Sequence, residues 1–289
     1  MIQYYRSSSR LSWSLALALT AAVCSSQADV STSSLPVMTG TQVIDLESKV
    51  VGDSFKLYIR PPEVADAKPD ATYPVIFTLD GDHTFPQMAS IMTQISWAGH
   101  VPPAVIVGIG YGTLDLENGN HRSRDLSPQP FPGRPESGGG DQFLSFLLEE
   151  VIPFLESKYP IDSEERYLFG HSLGGLFALY AYVEAPETFA GIIAGSPFLK
   201  GQLPLLDSIA KQAENAGARS CRLFVSTGGQ EDAGFFLNDL PALTDHLESD
   251  WAATGSFEVT QLPDFDHFTM VAPSMANGLR FVFLRPIVD

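Results

Sequence analysis

The run Gly170-His171-Ser172-Leu173-Gly174-Gly175 limits what this chain can fold into more than any other stretch. Apolar Tyr167–Phe169 leads into it and apolar Leu173–Val183 follows, so it reads as a strand ending in a tight turn that opens a helix. A serine on such a turn has strained backbone angles, and the glycines two residues to either side remove side chains that would collide there. The turn carries the hydroxyl to a helix N-terminus, where free backbone N–H groups can stabilise an oxyanion.

The rest of the chain has the alternation such a unit needs. Pro74–Leu79 and Ala104–Ile109 are continuous apolar runs, as expected of strands buried on both faces. Gly191–Ala194, Arg222–Ser226 and Phe257–Gln261 read as further strands. Phe143–Lys158, with Phe143, Leu147, Val151 and Leu155 on one face, reads as a helix, as do Leu203–Ala216, Leu240–Ala253 and Met270–Leu284. Upstream, Val43–Val51 and Ser54–Arg60 are extended runs broken at Gly52-Asp53, a hairpin signal. The expected fold class is α/β: a mostly parallel central sheet with an N-terminal antiparallel hairpin and helices on both faces. Tyr111–Gly140 has no regular period and joins a strand's C-terminal end to a helix, the edge where such sheets bind ligands.

A length of 289 residues suits one large domain, placed at residues 42–289. Arg6 and Arg10 precede the uncharged run Leu11–Val23, and Ser26-Gln27-Ala28 offers a small-residue cut, so residues 1–28 read as a secretory signal peptide and residues 29–41 as a flexible leader. The apolar run is short for a span and carries Ser12, Ser14 and Thr20, which argues against an anchor. Val23 fits poorly to lipoprotein processing at Cys24. An exported protein, periplasmic or secreted and with no membrane insertion after processing, is the expectation. Cys24 then leaves with the signal, and Cys221 alone cannot form an internal disulfide; it reads as a buried small hydrophobe.

The chain carries 34 acidic against 17 basic residues, a net charge of −17, with no Lys/Arg-rich patch. That composition disfavours nucleic acid and anionic membrane surfaces as partners. The histidines show neither H-E-x-x-H nor paired-cysteine spacing, so no metal and no cofactor is expected.

A serine hydroxyl needs a base, and in this architecture a histidine follows the last strand. His267, in Pro263-Asp264-Phe265-Asp266-His267-Phe268, has that position; His83, His100, His121, His171 and His246 do not, His171 being expected to point away from the nucleophile. The acid that orients the imidazole belongs just past Arg222–Ser226, where Glu231 and Asp232 stand side by side.

Together with Tyr73-Pro74-Val75-Ile76-Phe77-Thr78-Leu79-Asp80-Gly81, the Gly108–Gly110 strand end and the run Arg122-Ser123-Arg124-Asp125-Leu126-Ser127-Pro128, these features resemble the α/β-hydrolase branch that holds enterochelin-type siderophore esterases, S-formylglutathione hydrolases, feruloyl and acetyl-xylan esterases and mycolyltransferases. The resemblance runs from about Gln42 to Leu284. It implies the α/β-hydrolase fold. In the siderophore-esterase subgroup a glutamate three residues after a glycine is common, which matches Gly228 and Glu231 and favours Glu231 as the acid. It also implies that the backbone N–H groups of Leu173 and Asp82 form the oxyanion hole.

Arg122, Arg124 and Arg134 fall in the irregular loop, either to grip a substrate anion or to pair with Asp125 and Glu136. Arg122 and Arg124 are taken as substrate-binding candidates. The resulting expectation is a serine carboxylic-ester hydrolase acting on a small-molecule ester through an acyl-enzyme. Acyl transfer, or feruloyl or acetyl carbohydrate esterase activity, is the same-fold alternative, and a non-catalytic binding protein the alternative of another class.

Overall fold

In the computed structural model, residues 38, 40–62, 71–202, 204–205, 207–209, 221–232, 234, 240–251 and 257–283 are described. The signal peptide and nearly all of the leader expected at residues 1–41 lie outside them, as does most of the helix expected at Leu203–Ala216.

Eight strands form one sheet: β1 (Gln42–Glu47), β2 (Ser54–Arg60), β3 (Tyr73–Leu79), β4 (Val105–Gly110), β5 (Ile161–His171), β6 (Gly191–Gly195), β7 (Arg222–Gly228) and β8 (Phe257–Leu262). Their spatial order is β1-β2-β4-β3-β5-β6-β7-β8. The β1–β2 hairpin is antiparallel and β2 pairs antiparallel with β4; every later pairing is parallel. This is the α/β-hydrolase arrangement that the sequence leads one to expect.

Alternation along the central strands builds two cores. Val75, Phe77 and Leu79 of β3 face one side with Leu168 and Ile192, while Ile76 faces the other with Phe169, Ile193 and Phe224. Helices α3 (Gly140–Phe146), α4 (Ile152–Lys158), α5 (Leu173–Glu184) and α6 (Leu240–Trp251) cover the first side through residues such as Phe143, Leu155, Phe177 and Leu243. A π-helical turn at Leu147–Val151 joins α3 to α4. Helices α1 (Gly81–Trp97) and α7 (Val271–Phe283) cover the second through Met88, Met92, Met275 and Leu279.

Helix α1 is an addition to the sequence reading, which passed over Gly81–Trp97. Its buried residues Phe85, Met88, Ala89 and Met92 have helical spacing, but Pro86 stands inside the helix and masked the signal. The segment Tyr111–Gly140 is also more ordered than its composition suggests. It holds a short helix, α2 (Arg122–Asp125), and buries Asn120, Asp125, Ser127 and Ser137. Ser137 Oγ accepts from Phe131 N at 2.7 Å and donates to Arg134 O at 2.6 Å, closing a polar loop core. Cys221 is buried at the start of the β7 region, as expected of a small core residue.

Candidate active site

The C-terminal ends of β3 to β8 gather at one edge of the sheet. Among the described residues, the non-glycine residues with positive φ are Asp80 (56°), Ser172 (60°) and Ser196 (37°), at the ends of β3, β5 and β6, three neighbours in the sheet. Strain held at one edge marks a site that the surrounding structure over-determines. Ser172 has ψ −118° and immediately precedes α5. Its N–H donates to Gly195 O at 2.9 Å, and its carbonyl accepts from Leu176 N at 3.0 Å and Phe198 N at 3.1 Å, so the turn is pinned to the end of β6.

The flanking glycines are not equivalent. A Cβ on Gly170 would lie 2.0 Å from Gly174 O, so only glycine fits there. A Cβ on Gly174 would meet nothing closer than Asp80 Oδ2 at 3.4 Å, an ordinary contact. The collision expected on both sides of the serine is therefore real on the strand side only.

Glu231 and His267 are brought together by two loops that dock on each other. Gly229 N donates to Leu262 O at 2.7 Å and Gln230 N to Phe265 O at 3.0 Å, tying the loop after β7 to the loop after β8. His267 sits on a turn closed by Asp266, whose Oδ1 accepts from Phe268 N and Thr269 N, both at 2.9 Å. His267 Nδ1 lies 3.4 Å from Glu231 Oε2, a long contact, and the Glu231 side chain is fully buried. Glu231 Oε1 accepts from Gly228 N at 2.8 Å and from the hydroxyl of Ser196. Burial pushes this carboxyl up, but the bonds from His267, Ser196 and Gly228 outweigh it and hold it below the usual glutamate value. Asp232, the alternative acid, is exposed.

Two residues at this edge escaped the sequence reading. Ser196 is fully buried and anchors the outer oxygen of Glu231; its only signal was a small polar residue closing the strand Gly191–Ala194. The other is His171, which packs its ring against that of His267 with centroids 4.7 Å apart, a contact the expectation that it points away from the nucleophile leaves open. Since Ser172 follows His171 directly, this contact carries the imidazole of His267 to the serine's turn.

Leu173 and Asp82 occupy the first turns of α5 and α1, where helix geometry leaves backbone N–H groups without intrahelical partners. The side chain of Asp82 fixes its own backbone. It accepts from Tyr111 N and Gly112 N, each at 2.7 Å, and from the Tyr58 hydroxyl at 2.7 Å.

Ser172 and Leu173 open into a cleft of about 510 Å³ walled by Leu116, Phe131 and Phe198, with Arg122, Arg134 and Lys200 on its lining. Phe131 and Phe198 meet edge to face at 5.4 Å, linking the irregular loop to the segment after β6. Arg122 reaches the cleft while its Nε and Nη2 hold both oxygens of buried Asp80, at 2.7 and 2.9 Å.

Arg124, the other substrate-binding candidate, takes the alternative role of pairing within the protein. Its Nε lies 2.7 Å and its Nη2 3.1 Å from the oxygens of fully buried Asp125, its Nη1 lies 3.0 Å from Asp53, and it is not on the cleft lining. It staples the loop to the β1–β2 hairpin. Arg124→Ala is accordingly expected to leave a buried carboxylate without its cation, at a cost of about 3 kcal/mol. That corresponds to a fall in Tm of roughly 6–12 °C for a domain of this size. A thermal melt, with kcat/KM for one neutral and one anionic ester, checks it. A Tm near wild type with selective loss on the anionic ester would restore the recognition role.

A family model described as "Putative esterase" matches residues 48–253, most of the chain. The chain belongs to this family. It is 35% identical over 187 residues to the ferri-bacillibactin esterase BesA of Bacillus subtilis, a match covering 61% of this chain and 64% of that protein. It is 30% identical over 247 residues to the siderophore enterobactin esterase of Emericella nidulans, covering 72% of this chain and 81% of that one. The BES protein from Bacillus cereus superposes with a TM-score of 0.76 at 27% identity, over 89% of this chain and 99% of that chain.

Proposed function

We propose that this protein hydrolyses carboxylic esters of siderophore-type substrates, with Ser172 as nucleophile, His267 as general base and Glu231 as the orienting acid. The observation that carries the reading is the alignment of a buried, ionised Glu231 behind His267, whose ring is linked through His171 to the strained turn of Ser172. In the first half-reaction Ser172 Oγ attacks the ester carbonyl and His267 takes its proton. The N–H groups of Leu173 and Asp82 hold the oxyanion. Collapse breaks the C–O bond, and the departing alkoxide takes the proton from His267. Water, deprotonated by His267, then attacks the acyl-enzyme, and Ser172 leaves with that proton as the acid is released.

The siderophore part of the reading rests on the names of the relatives and on the cleft. In a chain of net charge −17, the lining gathers Arg122, Arg134 and Lys200 around two phenylalanines, a surface suited to an anionic aromatic ligand. The protein is also proposed to be exported, on the pattern of residues 1–28; amino-terminal sequencing of the protein recovered outside the cytoplasm should begin at Asp29.

A fluorophosphonate probe, followed by peptide mapping and turnover of p-nitrophenyl acetate, a feruloyl ester and a catecholate trilactone, tests the function. The expected result is a single adduct on Ser172, with kcat/KM highest for the trilactone. No adduct and no turnover would favour a binding protein on this scaffold. Arg134→Ala is expected to lower kcat/KM for the trilactone by about 10-fold or more while sparing p-nitrophenyl acetate, the loss of one charge-assisted contact. Equal effects on the two substrates would remove Arg134 from recognition.

A further inference from the structure

His171 is a buried titratable group that the mechanism above does not use. It is the last residue of β5 and 8% exposed. Neither ring nitrogen reaches a hydrogen-bond partner of ordinary geometry, although the main chain of His267 lies close enough to favour the protonated ring slightly. A buried imidazole with so few partners is less readily explained by packing alone than an apolar side chain in the same space. The surroundings also fix its pose. The Cβ that Gly195 lacks would lie 3.1 Å from His171 Nδ1 and 2.6 Å from Ser274 Oγ, so the ring is boxed between the end of β6 and α7. Its open face meets the ring of His267 at 4.7 Å between centroids, with the planes 41° apart.

We propose that His171 is a positioning residue for His267: its uncharged ring is the platform that sets the plane of the catalytic imidazole and stabilises, through its π face, the imidazolium formed in each step. The inference rests on the reading of His267 as the base. An aromatic ring within about 6 Å of a cation attracts it electrostatically, so the contact is stronger when His267 is charged than when it is neutral. Only an interaction that strengthens toward the transition state speeds the reaction.

The platform must itself stay uncharged. Burial, then repulsion from His267, lowers the His171 pKa to about 4; the Glu231 and Asp80 carboxylates pull the other way without prevailing. The charged groups facing His267 are Glu231, from the loop after β7, and Asp266, on its own turn.

The test compares His171→Phe with His171→Leu in the full chain. Kinetics on p-nitrophenyl acetate, the pH dependence of kcat/KM and thermal melts are the readouts. His171→Phe keeps a π face and should hold kcat near the wild-type value, with the acid limb of the profile unmoved. His171→Leu fills the space without one. It should lower kcat about two- to fivefold at unchanged KM, the size of a partly shielded cation–π contact. Because the imidazolium loses stabilisation, the acid limb should move to lower pH by about half a unit. NMR titration of His267 in the Ser172→Ala background reads the same shift without turnover, so the inference can fail separately from the proposed activity. Equal behaviour of the two variants, or a kcat loss with no movement of the His267 titration, would overturn it.

Discussion

Ser172→Ala and His267→Ala should each lower kcat on the order of 10⁶-fold, and the double variant should be little worse. The reason is that, in the proposed mechanism, neither group has a separate task. Without His267 the Ser172 hydroxyl keeps its proton and is a weak nucleophile; without Ser172 the imidazole has no proton to take in the first step. What survives either change is the backbone machinery: N–H groups at the starts of α5 and α1, and a cleft of about 510 Å³ that still holds the ester. That remainder is worth on the order of 10³–10⁴ over the uncatalysed rate in enzymes of this type. Single-turnover assays, in which acyl-enzyme formation is followed separately from its breakdown, give the cleanest comparison. Multiplicative losses in the double variant would mean that one of the two is misassigned. Stability should move the other way at the same position. Alanine inherits the φ of 60° at residue 172, whereas glycine tolerates it, so Ser172→Gly should melt higher than Ser172→Ala.

The parts of this architecture most legible in the sequence are those whose signal is local. Short apolar runs such as Pro74–Leu79 and Gly191–Ala194 mark strands buried on two faces, and the break at Gly52-Asp53 marks the hairpin, because each depends on its own residues. Helix α1 was hidden by Pro86, although Phe85, Met88, Ala89 and Met92 carry a helical spacing that the second core confirms. The order of strands in the sheet had no local signal at all, since it is decided by which crossovers pack over which face.

The candidate site divides along the same line. The candidacy of Ser172 and His267 is legible because a strained turn and a position after the last strand are features of chain order. The environment of their partners could not. Ser196 reaches Glu231 across 35 residues, and Arg124 reaches Asp53 across 71. Arg124 and Arg122 are indistinguishable in the sequence, yet one staples a loop to the hairpin while the other lines the cleft. The acidic balance of the whole chain likewise concealed a locally basic lining, because net charge carries no information about where the cations gather.

Glu231→Gln should reduce kcat by about 10⁴-fold while leaving the protein folded, and the hydrogen bonds explain why an isosteric change is so damaging. In the native site both carboxylate oxygens accept: Oε1 from Gly228 N at 2.8 Å and from the Ser196 hydroxyl, and Oε2 from His267 Nδ1. A glutamine has only one oxygen to offer. The Gly228 N–H is fixed by the backbone and cannot turn away, so the amide oxygen is retained there and the NH₂ group faces His267. The imidazole must then accept at Nδ1 and carry its proton on Nε2, which removes the lone pair that Ser172 uses in the proposed mechanism. Asp232→Asn, at an exposed neighbour, should change kcat by less than about twofold. Glu231→Gln should also flatten the acid side of the stability curve. Burial raises the Glu231 pKa but its hydrogen bonds lower it further, so the folded value lies below the unfolded one. Its contribution to stability is therefore present above the ordinary glutamate range and is lost as pH falls through the lowered folded value. Melts between pH 7 and pH 3 should show a smaller acid loss in Glu231→Gln than in wild type. If Asp232→Asn abolishes turnover and Glu231→Gln does not, the acid is the neighbour, and the long 3.4 Å contact to His267 is incidental.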